Sequence, residues 1–293
     1  MSARPAPRTR VSLADLSAVK GAGAPIVMVT AYDYPSAQIA DAAGIDIVLV
    51  GDSGAMTVLG YDSTVPVTVD EMLMLTAATR RGLTRPLLVA DLPFGSYEAS
   101  DELAIATAQR FIKEAGADLV KIERGGTSIA RARALVDAGI PVVGHVGLTP
   151  QTATSLGGYR AQGRTAEAAL AVIQDALALQ DAGVALIVVE AVPSEVARGL
   201  RSRLRVPLIG IGAGPDVDGQ VLVFHDLLGL FDGPAARFVK RYADLRSDAI
   251  VGVAAYADEV RSGAYPAPEH GYGMPRDEAA RLEVLLRGRL RAV

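Results

Sequence analysis

The alternation of short apolar runs with alanine-rich stretches predicts an α/β protein, specifically a (β/α)8 TIM barrel with a C-terminal helical extension. Eight runs of strand character recur, each followed by turn residues and then by helical spacing. The chain has 293 residues, and a barrel of this kind typically needs about 250. Thirty glycines and only 5% aromatic residues favour tight turns and aliphatic packing over a β-sandwich.

The elements follow one another in a regular order. Four Ala-Gly segments each close a predicted helix with a glycine cap and lead directly into a buried strand; they stand at residues 42–45, 114–117, 137–140 and 181–184. The strands are predicted at 25–30, 47–50, 86–90, 119–122, 141–144, 185–189, 206–210 and 220–224. The helices between them are predicted at 35–43, 69–81, 99–115, 127–138, 165–182 and 194–203.

The repeating pattern divides the chain into three parts. Residues 1–24 are predicted as an N-terminal arm and entry segment, with the first ten residues flexible, and residues 25–232 as the barrel. Residues 233–293 are predicted as a helical extension that packs on the barrel or on a neighbouring subunit, because 234–262 has helical spacing and no strand. An open doubly wound sheet is the alternative, but no Gly-x-Gly-x-x-Gly follows the first strand, which disfavours its dinucleotide-binding form.

Composition and charge exclude several classes of protein. A net charge of -4 with 21% charged residues disfavours a nucleic-acid partner. The absence of cysteine excludes disulfides, thiolate zinc sites and cysteine nucleophiles. The apolar runs are far shorter than the roughly 20 residues that cross a bilayer, so we expect no membrane span. The basic first residues lead into no apolar segment, which predicts a cytoplasmic protein, with a mitochondrial targeting segment as the alternative.

Polar side chains follow the predicted strands where each strand ends. The active site of a (β/α)8 barrel lies at these carboxyl ends. Because side chains alternate along a strand, Lys121 and Glu123 face the same side, which is the barrel mouth. The candidate site residues are Asp52, Ser53, Asp91, Lys121, Glu123, His145 and Glu190.

Three of these carboxylates predict a metal site. Asp52, Asp91 and Glu123 end successive strands, and oxygen donors without thiols suit Mg²⁺. Each residue also has a structural interpretation, since an Asp at a strand end commonly caps a helix or shapes a turn. The Lys121 and Glu123 pair is equally explained as a structural ion pair. The occurrence of such residues at five successive strand ends favours a functional site.

The remaining polar positions are open to two interpretations. Glu190 ends an apolar strand, where partial desolvation suits a general base, although a salt-bridged core carboxylate is the alternative. His145 is either a site residue or a packed, hydrogen-bonded core histidine. The glycine-rich stretch 210–214 admits a phosphate or a closely packed substrate edge, but no Walker lysine follows it. No Gly-x-Ser-x-Gly elbow is present, which excludes the serine-hydrolase template.

Seven stretches that contain these residues occur in a characteristic order, and through them the sequence resembles the ketopantoate hydroxymethyltransferase family. They cover the barrel between residues 29 and 232, with a weaker match at 265–270. The stretches are Val-Thr-Ala-Tyr-Asp at 29–33, Val-Gly-Asp-Ser at 50–53, Gly-Tyr-Asp-Ser-Thr-Val-Pro-Val at 60–67, Ala-Asp-Leu-Pro-Phe-Gly-Ser-Tyr at 90–97, Val-Lys-Ile-Glu at 120–123, Gly-His-Val-Gly-Leu-Thr-Pro-Gln at 144–151 and Ile-Gly-Ile-Gly-Ala-Gly at 209–214.

The resemblance implies an enzyme of the phosphoenolpyruvate mutase and isocitrate lyase group. It would transfer a hydroxymethyl group from the co-substrate 5,10-methylenetetrahydrofolate to 3-methyl-2-oxobutanoate, giving 2-dehydropantoate, by Mg²⁺-assisted enolate formation in pantothenate biosynthesis. It also implies a cytoplasmic homodecamer of two stacked pentameric rings that acts on small molecules.

The resemblance also implies roles for individual residues. Glu190 matches the proton acceptor. In the mechanism expected for these residues, Lys121 is a fixed positive charge that stabilises the enolate oxygen. By this match the keto acid would be held by Ser53, Asp91 and Lys121. Asp52 and His145 are further candidate contacts because of their places at strand ends. Mg²⁺ would be held by Asp52, Asp91 and Glu123, with some contacts through water.

Two rival functions and one departure from the family pattern stay open at this point. Another Mg²⁺-dependent lyase or mutase of 2-oxo acids in the same barrel group is one rival, although those enzymes normally carry a loop cysteine that this chain lacks. A non-catalytic barrel subunit is the other. The departure is Arg124, which stands where the family usually has the first of two glycines; Gly125 and Gly126 follow it. Arginine there would be strained if the backbone needed a positive φ, and it would place a cation beside Glu123.

Overall fold

Eight parallel strands close into a barrel in a computed structural model that describes residues 9–20, 24–124, 127–233 and 236–289. Each strand pairs with the next along the chain, and the last pairs with the first, so the predicted fold is confirmed. The strands are β1 (Ile26–Thr30), β2 (Ile47–Val50), β3 (Leu87–Asp91), β4 (Leu119–Glu123), β5 (Val142–Gly147), β6 (Leu186–Glu190), β7 (Leu208–Ile211) and β8 (Gly219–Leu222).

The helices follow the strands in the order that a (β/α)8 barrel requires. They are α1 (Leu13–Val19), α2 (Tyr34–Ala43), α3 (Gly54–Thr57), α4 (Val69–Gly82), α5 (Asp101–Lys113), α6 (Ser128–Asp137), α7 (Ala166–Asp181), α8 (Ser194–Arg201), α9 (Phe224–Leu227), α10 (Leu245–Ser262) and α11 (Arg276–Arg289). All six helices predicted inside the barrel are present. The glycines of the four Ala-Gly segments all have positive φ, as predicted for residues that end a helix and turn the chain toward a strand: Gly44, Gly116, Gly139 and Gly183.

Strand periodicity decides which side chains fill the barrel. One apolar cluster contains alternate residues of the strands, for example Leu87 and Val89 on β3, and Leu119 on β4. The next residue with the same orientation on β3 is Asp91, and on β4 it is Lys121. The interior is therefore apolar along most of its length and polar at the carboxyl ends of the strands.

The N-terminal segment contains a helix that the sequence analysis did not predict. Ser12 begins α1 with a capping box, in which Ser12 and Asp15 each bond the other's backbone N–H. Val11 and Leu16 are buried in the same apolar cluster as the barrel interior. The entry segment thus supplies apolar side chains to the barrel, a role that a short helical pattern does not reveal. The first eight residues of the predicted flexible arm lie outside the described residues.

A buried carboxylate fastens this segment to the barrel. Asp218 has a side chain only 1% exposed, and it accepts hydrogen bonds from Lys20 Nζ at 2.6 Å, Arg201 Nε at 2.9 Å and the Leu208 backbone N–H at 3.0 Å. Burial raises the pKa of this carboxyl, but the three donors outweigh burial and hold the pKa below its ordinary value.

Asp218→Ala should lower the free energy of unfolding by about 3 kcal/mol, because Lys20 then loses its partner in a nearly buried position. A carboxyl with a depressed pKa stabilises the folded state above its unfolded pKa, and this contribution disappears as pH falls through the folded pKa. Urea unfolding at neutral and acidic pH measures both effects. Asp216→Ala breaks a more exposed pair with Arg198 and should cost about 1 kcal/mol or less. Equal losses in the two variants would contradict the assignment.

The chain divides into two compact units, Met1–Ala243 and Asp244–Val293. Helix α10 begins at Leu245, so the prediction of helical structure from residue 234 onward is wrong at its start; residues 236–243 belong to the barrel unit and contain no helix. The apolar spacing that predicted a helix lies on both sides of Leu245. Phe238, however, lines the barrel cavity and is not part of a helix. Whether the extension packs on the barrel or on another subunit stays a prediction. Among the described residues, no helix is both long and apolar enough to span a membrane.

Candidate active site

The carboxyl ends of the strands open into a cavity of about 250 Å³. Each predicted site residue reaches it from a strand or from the residues immediately after one. All seven line the cavity: Asp52, Ser53, Asp91, Lys121, Glu123, His145 and Glu190. The structure therefore brings together every side chain that the strand-end argument selected.

Lys121 lies at the centre of the polar side of this cavity and is 4% exposed. Its Nζ is 3.1 Å from Asp91 Oδ1, 3.1 Å from His145 Nδ1 and 3.9 Å from Glu123 Oε1. Burial lowers the pKa of Lys121, but the surrounding carboxylates outweigh burial and raise it above its ordinary value. The ammonium group is therefore a fixed positive charge and does not serve as a neutral amine nucleophile.

The three carboxylates beside Lys121 differ in their electrostatics. Asp52 donates its backbone N–H to Asp91 Oδ2 at 3.0 Å. Burial and repulsion from the neighbouring carboxylates raise the pKa of Asp52 well above its ordinary value, and burial also raises that of Asp91 despite Lys121. Burial would raise the pKa of Glu123 too, but contacts with His145 and Lys121 outweigh it and lower the pKa. The ionised forms of Asp52 and Asp91 are thus disfavoured unless a further positive charge joins Lys121.

Two residues that the sequence analysis did not single out hold these carboxylates in place. Gln151 donates from Nε2 to Asp52 Oδ2 at 2.9 Å and from its backbone N–H to Glu123 Oε2 at 2.9 Å. Tyr97 donates its hydroxyl to Gln151 Oε1 at 2.7 Å. Both are buried. Their sequence signal was available, because each is the last residue of one of the family-like stretches, 90–97 and 144–151.

Ser53 is oriented by a buried tyrosine. The hydroxyl of Tyr32 lies 2.8 Å from Ser53 Oγ, and the Tyr32 side chain is 1% exposed. Burial raises the pKa of Tyr32 to about 12, so the phenol stays protonated. A Cβ on the neighbouring Gly54 would overlap the Tyr32 ring, so the glycine permits this close packing.

His145 connects Glu123 with Glu190. His145 Nδ1 is 3.3 Å from Glu123 Oε1, and Nε2 is 3.3 Å from Glu190 Oε2. Burial and Lys121 lower the pKa of His145, but contacts with Glu123 and Glu190 outweigh them and raise it above its ordinary value. His145 is therefore buried and also faces the site. The Glu190 side chain is 17% exposed and borders the cavity, as a base that must meet a substrate requires.

The donor set fits a hard divalent cation on its chemistry. Asp91 Oδ1 accepts no aligned hydrogen bond, although it is buried, and a bound cation would favour the ionised forms of Asp52 and Asp91, which burial disfavours. The oxygens of Glu123 are already in contact with Lys121, His145 and Gln151. Within the described ranges, no three His, Asp or Glu side chains converge on one point at metal-ligand distance. The arrangement thus suits a cation held by the two aspartates, with Glu123 at longer range.

Arg124 neither strains the backbone nor adds a free charge beside Glu123. Among the described residues, the non-glycine residue with positive φ is Ala191, so Arg124 adopts an ordinary conformation. Successive side chains along a strand point to opposite faces, so Arg124 points away from the barrel interior that Glu123 faces. Its Nε lies 2.7 Å from Asp175 Oδ2 on α7. The backbone strain and the extra cation beside Glu123 that this departure from the family pattern predicted are therefore absent. Gly125 and Gly126 lie outside the described residues.

The glycines of the 210–214 stretch make room for protein side chains. Gly212 has positive φ, and a Cβ there would overlap the ring of Phe238. A Cβ on Gly214 would approach the Cβ of Ser194 to 2.9 Å. The space predicted for a phosphate or a substrate edge is thus filled at Gly212 by an aromatic ring of the cavity wall.

The chain is similar to known proteins over most of its length. The family model for ketopantoate hydroxymethyltransferase matches residues 10–268. The chain is 54% identical to a 3-methyl-2-oxobutanoate hydroxymethyltransferase of Moorella thermoacetica over 267 residues, which are 91% of this chain and 99% of that protein. It is 52% identical to the protein of the same name from Thermobifida fusca over 263 residues, covering 90% of this chain and 94% of that one.

Solved structures share the fold at low sequence identity. Phosphonopyruvate hydrolase in complex with oxalate and Mg²⁺ matches with a TM-score of 0.57 and 14% identity, covering 97% of this chain and 98% of that one. A 2,3-dimethylmalate lyase, described as a member of the PEP mutase/isocitrate lyase superfamily, matches with a TM-score of 0.56 and 18% identity, covering 94% and 98%.

Proposed function

The chain belongs to the ketopantoate hydroxymethyltransferase family, and from that membership we propose that it transfers a hydroxymethyl group from 5,10-methylenetetrahydrofolate to 3-methyl-2-oxobutanoate, giving 2-dehydropantoate. The family predicted from the sequence motifs is thereby confirmed. The observation that carries the proposal is the pairing, in one cavity, of a buried charged Lys121 with a carboxylate, Glu190, on the opposite side of His145. A fixed cation and a base are what proton abstraction next to a carbonyl requires.

The polar side of the cavity suits a small 2-oxo acid. Lys121 supplies a positive charge for the carboxylate and keto oxygens, and the Ser53 hydroxyl, oriented by Tyr32, supplies a hydrogen bond. Asp52, Asp91 and His145 border the same space. Because Lys121 is held by buried carboxylates, its charge is in place before the reaction and needs no reorganisation.

Glu190 is the base in this proposal. It removes the proton from C3 of the keto acid and holds it on a carboxylate oxygen, while Lys121 stabilises the negative charge that develops on the keto oxygen. The contact with His145 Nε2 keeps the Glu190 carboxylate directed along the cavity. The C3 carbon then bonds to the methylene carbon of the folate donor, both carbon–nitrogen bonds of that methylene break, and one water supplies the hydroxyl oxygen of the product. Tetrahydrofolate leaves with two new N–H groups, whose protons come from C3 by way of Glu190 and from the water.

We propose that Asp52 and Asp91 hold Mg²⁺, with Glu123 contributing charge at longer range. The bound cation supplies Lewis-acid polarisation of the 2-oxo acid. Support comes from the oxygen donor set, in which three buried carboxylates surround one lysine, and from a protein of the same fold that was solved with oxalate and Mg²⁺. Glu123 then serves the site chiefly through Lys121 and His145, whose positions it determines.

We also propose a homodecamer of two stacked pentameric rings, located in the cytoplasm, as the family resemblance implies. The support for self-association is the apolar surface of α10, which has no buried residue in the single chain. Ile250, Val251, Val253 and Val260 on this helix are all exposed, and exposed apolar patches of this kind are typical of interfaces.

A turnover assay tests the proposed reaction. Purified protein with Mg²⁺, 5,10-methylenetetrahydrofolate and 3-methyl-2-oxobutanoate should release 2-dehydropantoate, and a chelator should abolish product formation. Mass spectrometry of the product measures the result. Cleavage or rearrangement of a 2-oxo acid without folate would support the lyase or mutase alternative. Absence of any turnover by folded protein would support the non-catalytic barrel and overturn the proposal.

A further inference from the structure

The active-site cavity has a second wall that the keto acid does not use. In addition to the charged residues, the cavity is lined by Val223, Phe231, Ala236 and Phe238, which follow the last strand and are apolar. A single carboxylate, Asp226 on α9, interrupts this surface. An apolar wall with one isolated carboxylate differs in chemistry from the lysine-centred side, so it suits a different ligand.

Asp226 is available to a ligand. Its side chain has no hydrogen-bond or ion-pair partner among the residues that the structure describes, and the residue is half-buried. Burial raises the pKa of this carboxyl, and the positive charge of Arg241 partly offsets the rise. A 2-oxo acid is itself an anion and would be repelled. The matching ligand presents N–H donors on a flat apolar body.

A groove with the opposite charge adjoins this wall. It has a volume of about 430 Å³, shares Phe238 with the active-site cavity, and is also lined by Val192 and Pro193. Arg164 and Arg237 border the groove and are exposed, and neither has an ion-pair partner within the described part of the chain. Two exposed arginines beside apolar side chains suit a ligand that ends in carboxylates.

We propose that this wall and groove together bind the tetrahydrofolate donor, with its pterin ring against Asp226 and its glutamate carboxylates at Arg164 and Arg237. The inference rests on the proposed function, which requires a folate. The aminopyrimidinone edge of a pterin carries an N–H and an amino group side by side, which match the two oxygens of a carboxylate. Phe231 and Phe238 provide aromatic surface for the flat ring.

This placement puts C3 of the keto acid and the methylene carbon of the folate in the same cavity. Asp226 and Glu190 line the same cavity, while the arginines lie beyond Phe238 in the adjoining groove. The donor would therefore enter with its reactive ring end toward the base and its tail outward. This orientation follows from charge, since the carboxylate lines the active-site cavity and the two arginines line the adjoining groove.

Asp226→Asn tests the pterin end. Asparagine keeps the size of the side chain but replaces one acceptor oxygen with a donor, so the two-point contact is lost. Calorimetry should show tetrahydrofolate binding at least tenfold weaker than in the unaltered protein. The matched control is Asp137→Asn, an exposed position at the far end of α6, which should change affinity less than twofold. Unchanged tetrahydrofolate affinity in Asp226→Asn would overturn this half of the inference.

The glutamate end of the ligand is tested with a ligand that lacks it and with substitutions of the two arginines. The unaltered protein should bind tetrahydrofolate at least tenfold more tightly than tetrahydropteroate, which lacks the glutamate. Arg164→Gln with Arg237→Gln should reduce this preference to less than threefold, whereas Arg205→Gln, another exposed arginine, should retain it. Both groove arginines are exposed, so the double variant should fold. A full preference in the double variant would overturn the tail assignment.

Two outcomes separate the proposed reaction from the proposed folate site. If the unaltered protein binds no tetrahydrofolate and forms no product, the proposed function and the folate site both fail. If it binds tetrahydrofolate and turns over, while the Asp226 and arginine variants bind it normally, only the folate site is wrong.

Discussion

Glu190→Gln should slow the exchange of the C3 proton of 3-methyl-2-oxobutanoate into deuterated water by about 1000-fold, because glutamine cannot accept the proton. Keto-acid affinity should stay close to that of the unaltered protein, since Lys121 contacts His145 at Nδ1, the ring nitrogen that does not face Glu190, and Ser53 is held by Tyr32. Proton NMR follows the exchange without folate, so the measurement isolates the base from the transfer step.

The substitution leaves the local structure largely unchanged. Glutamine has the size of glutamate and keeps an oxygen that can lie near His145 Nε2, which is 3.3 Å from Glu190 Oε2. Glu195→Gln, on the exposed surface of α8 shortly after Glu190, is the matched control and should exchange at the normal rate. Exchange at close to the normal rate in Glu190→Gln would remove this residue from the role of base.

Asp91→Asn should weaken Mg²⁺-dependent binding of the keto acid by at least about 100-fold, since even residues behind a metal ligand typically contribute 10–100-fold to affinity. The substitution removes one of the two negative charges that favour a cation. It also places an amide where Lys121 Nζ now lies 3.1 Å from Asp91 Oδ1. Calorimetric titration with the keto acid, in Mg²⁺ and in chelator, measures the metal-dependent part directly.

The control for this variant is a surface aspartate. Asp70→Asn on α4 breaks an exposed pair with Arg110 and should leave keto-acid binding unchanged. Because Asp91 is buried, thermal unfolding of both variants should accompany the titration, to establish that Asp91→Asn is folded at the titration temperature. A folded Asp91→Asn protein with unchanged affinity in both Mg²⁺ and chelator would contradict the metal assignment.

Strand periodicity was the strongest information in the sequence. A two-residue repeat that starts with Leu119 must bring Lys121 and Glu123 to the same side of β4, and parallel strands must place their ends together. The location of the candidate site followed from these local rules without any knowledge of contacts. The glycine caps followed in the same way, because Gly44 and its three equivalents need only a left-handed backbone.

The sequence by itself thus determined the barrel, its repeat, its family and the group of side chains at its mouth. The tertiary structure decided what each side chain touches. Hydrogen bonds from Gln151 to Asp52 and Glu123 join the ends of strands that are distant in sequence. Val11 and Leu16, on and beside α1, pack into the barrel interior, and Phe238 lies against Gly212 in the cavity wall. The physical reason is the same in each case: periodicity reports which way a residue faces, whereas its partners depend on the three-dimensional closure of the chain.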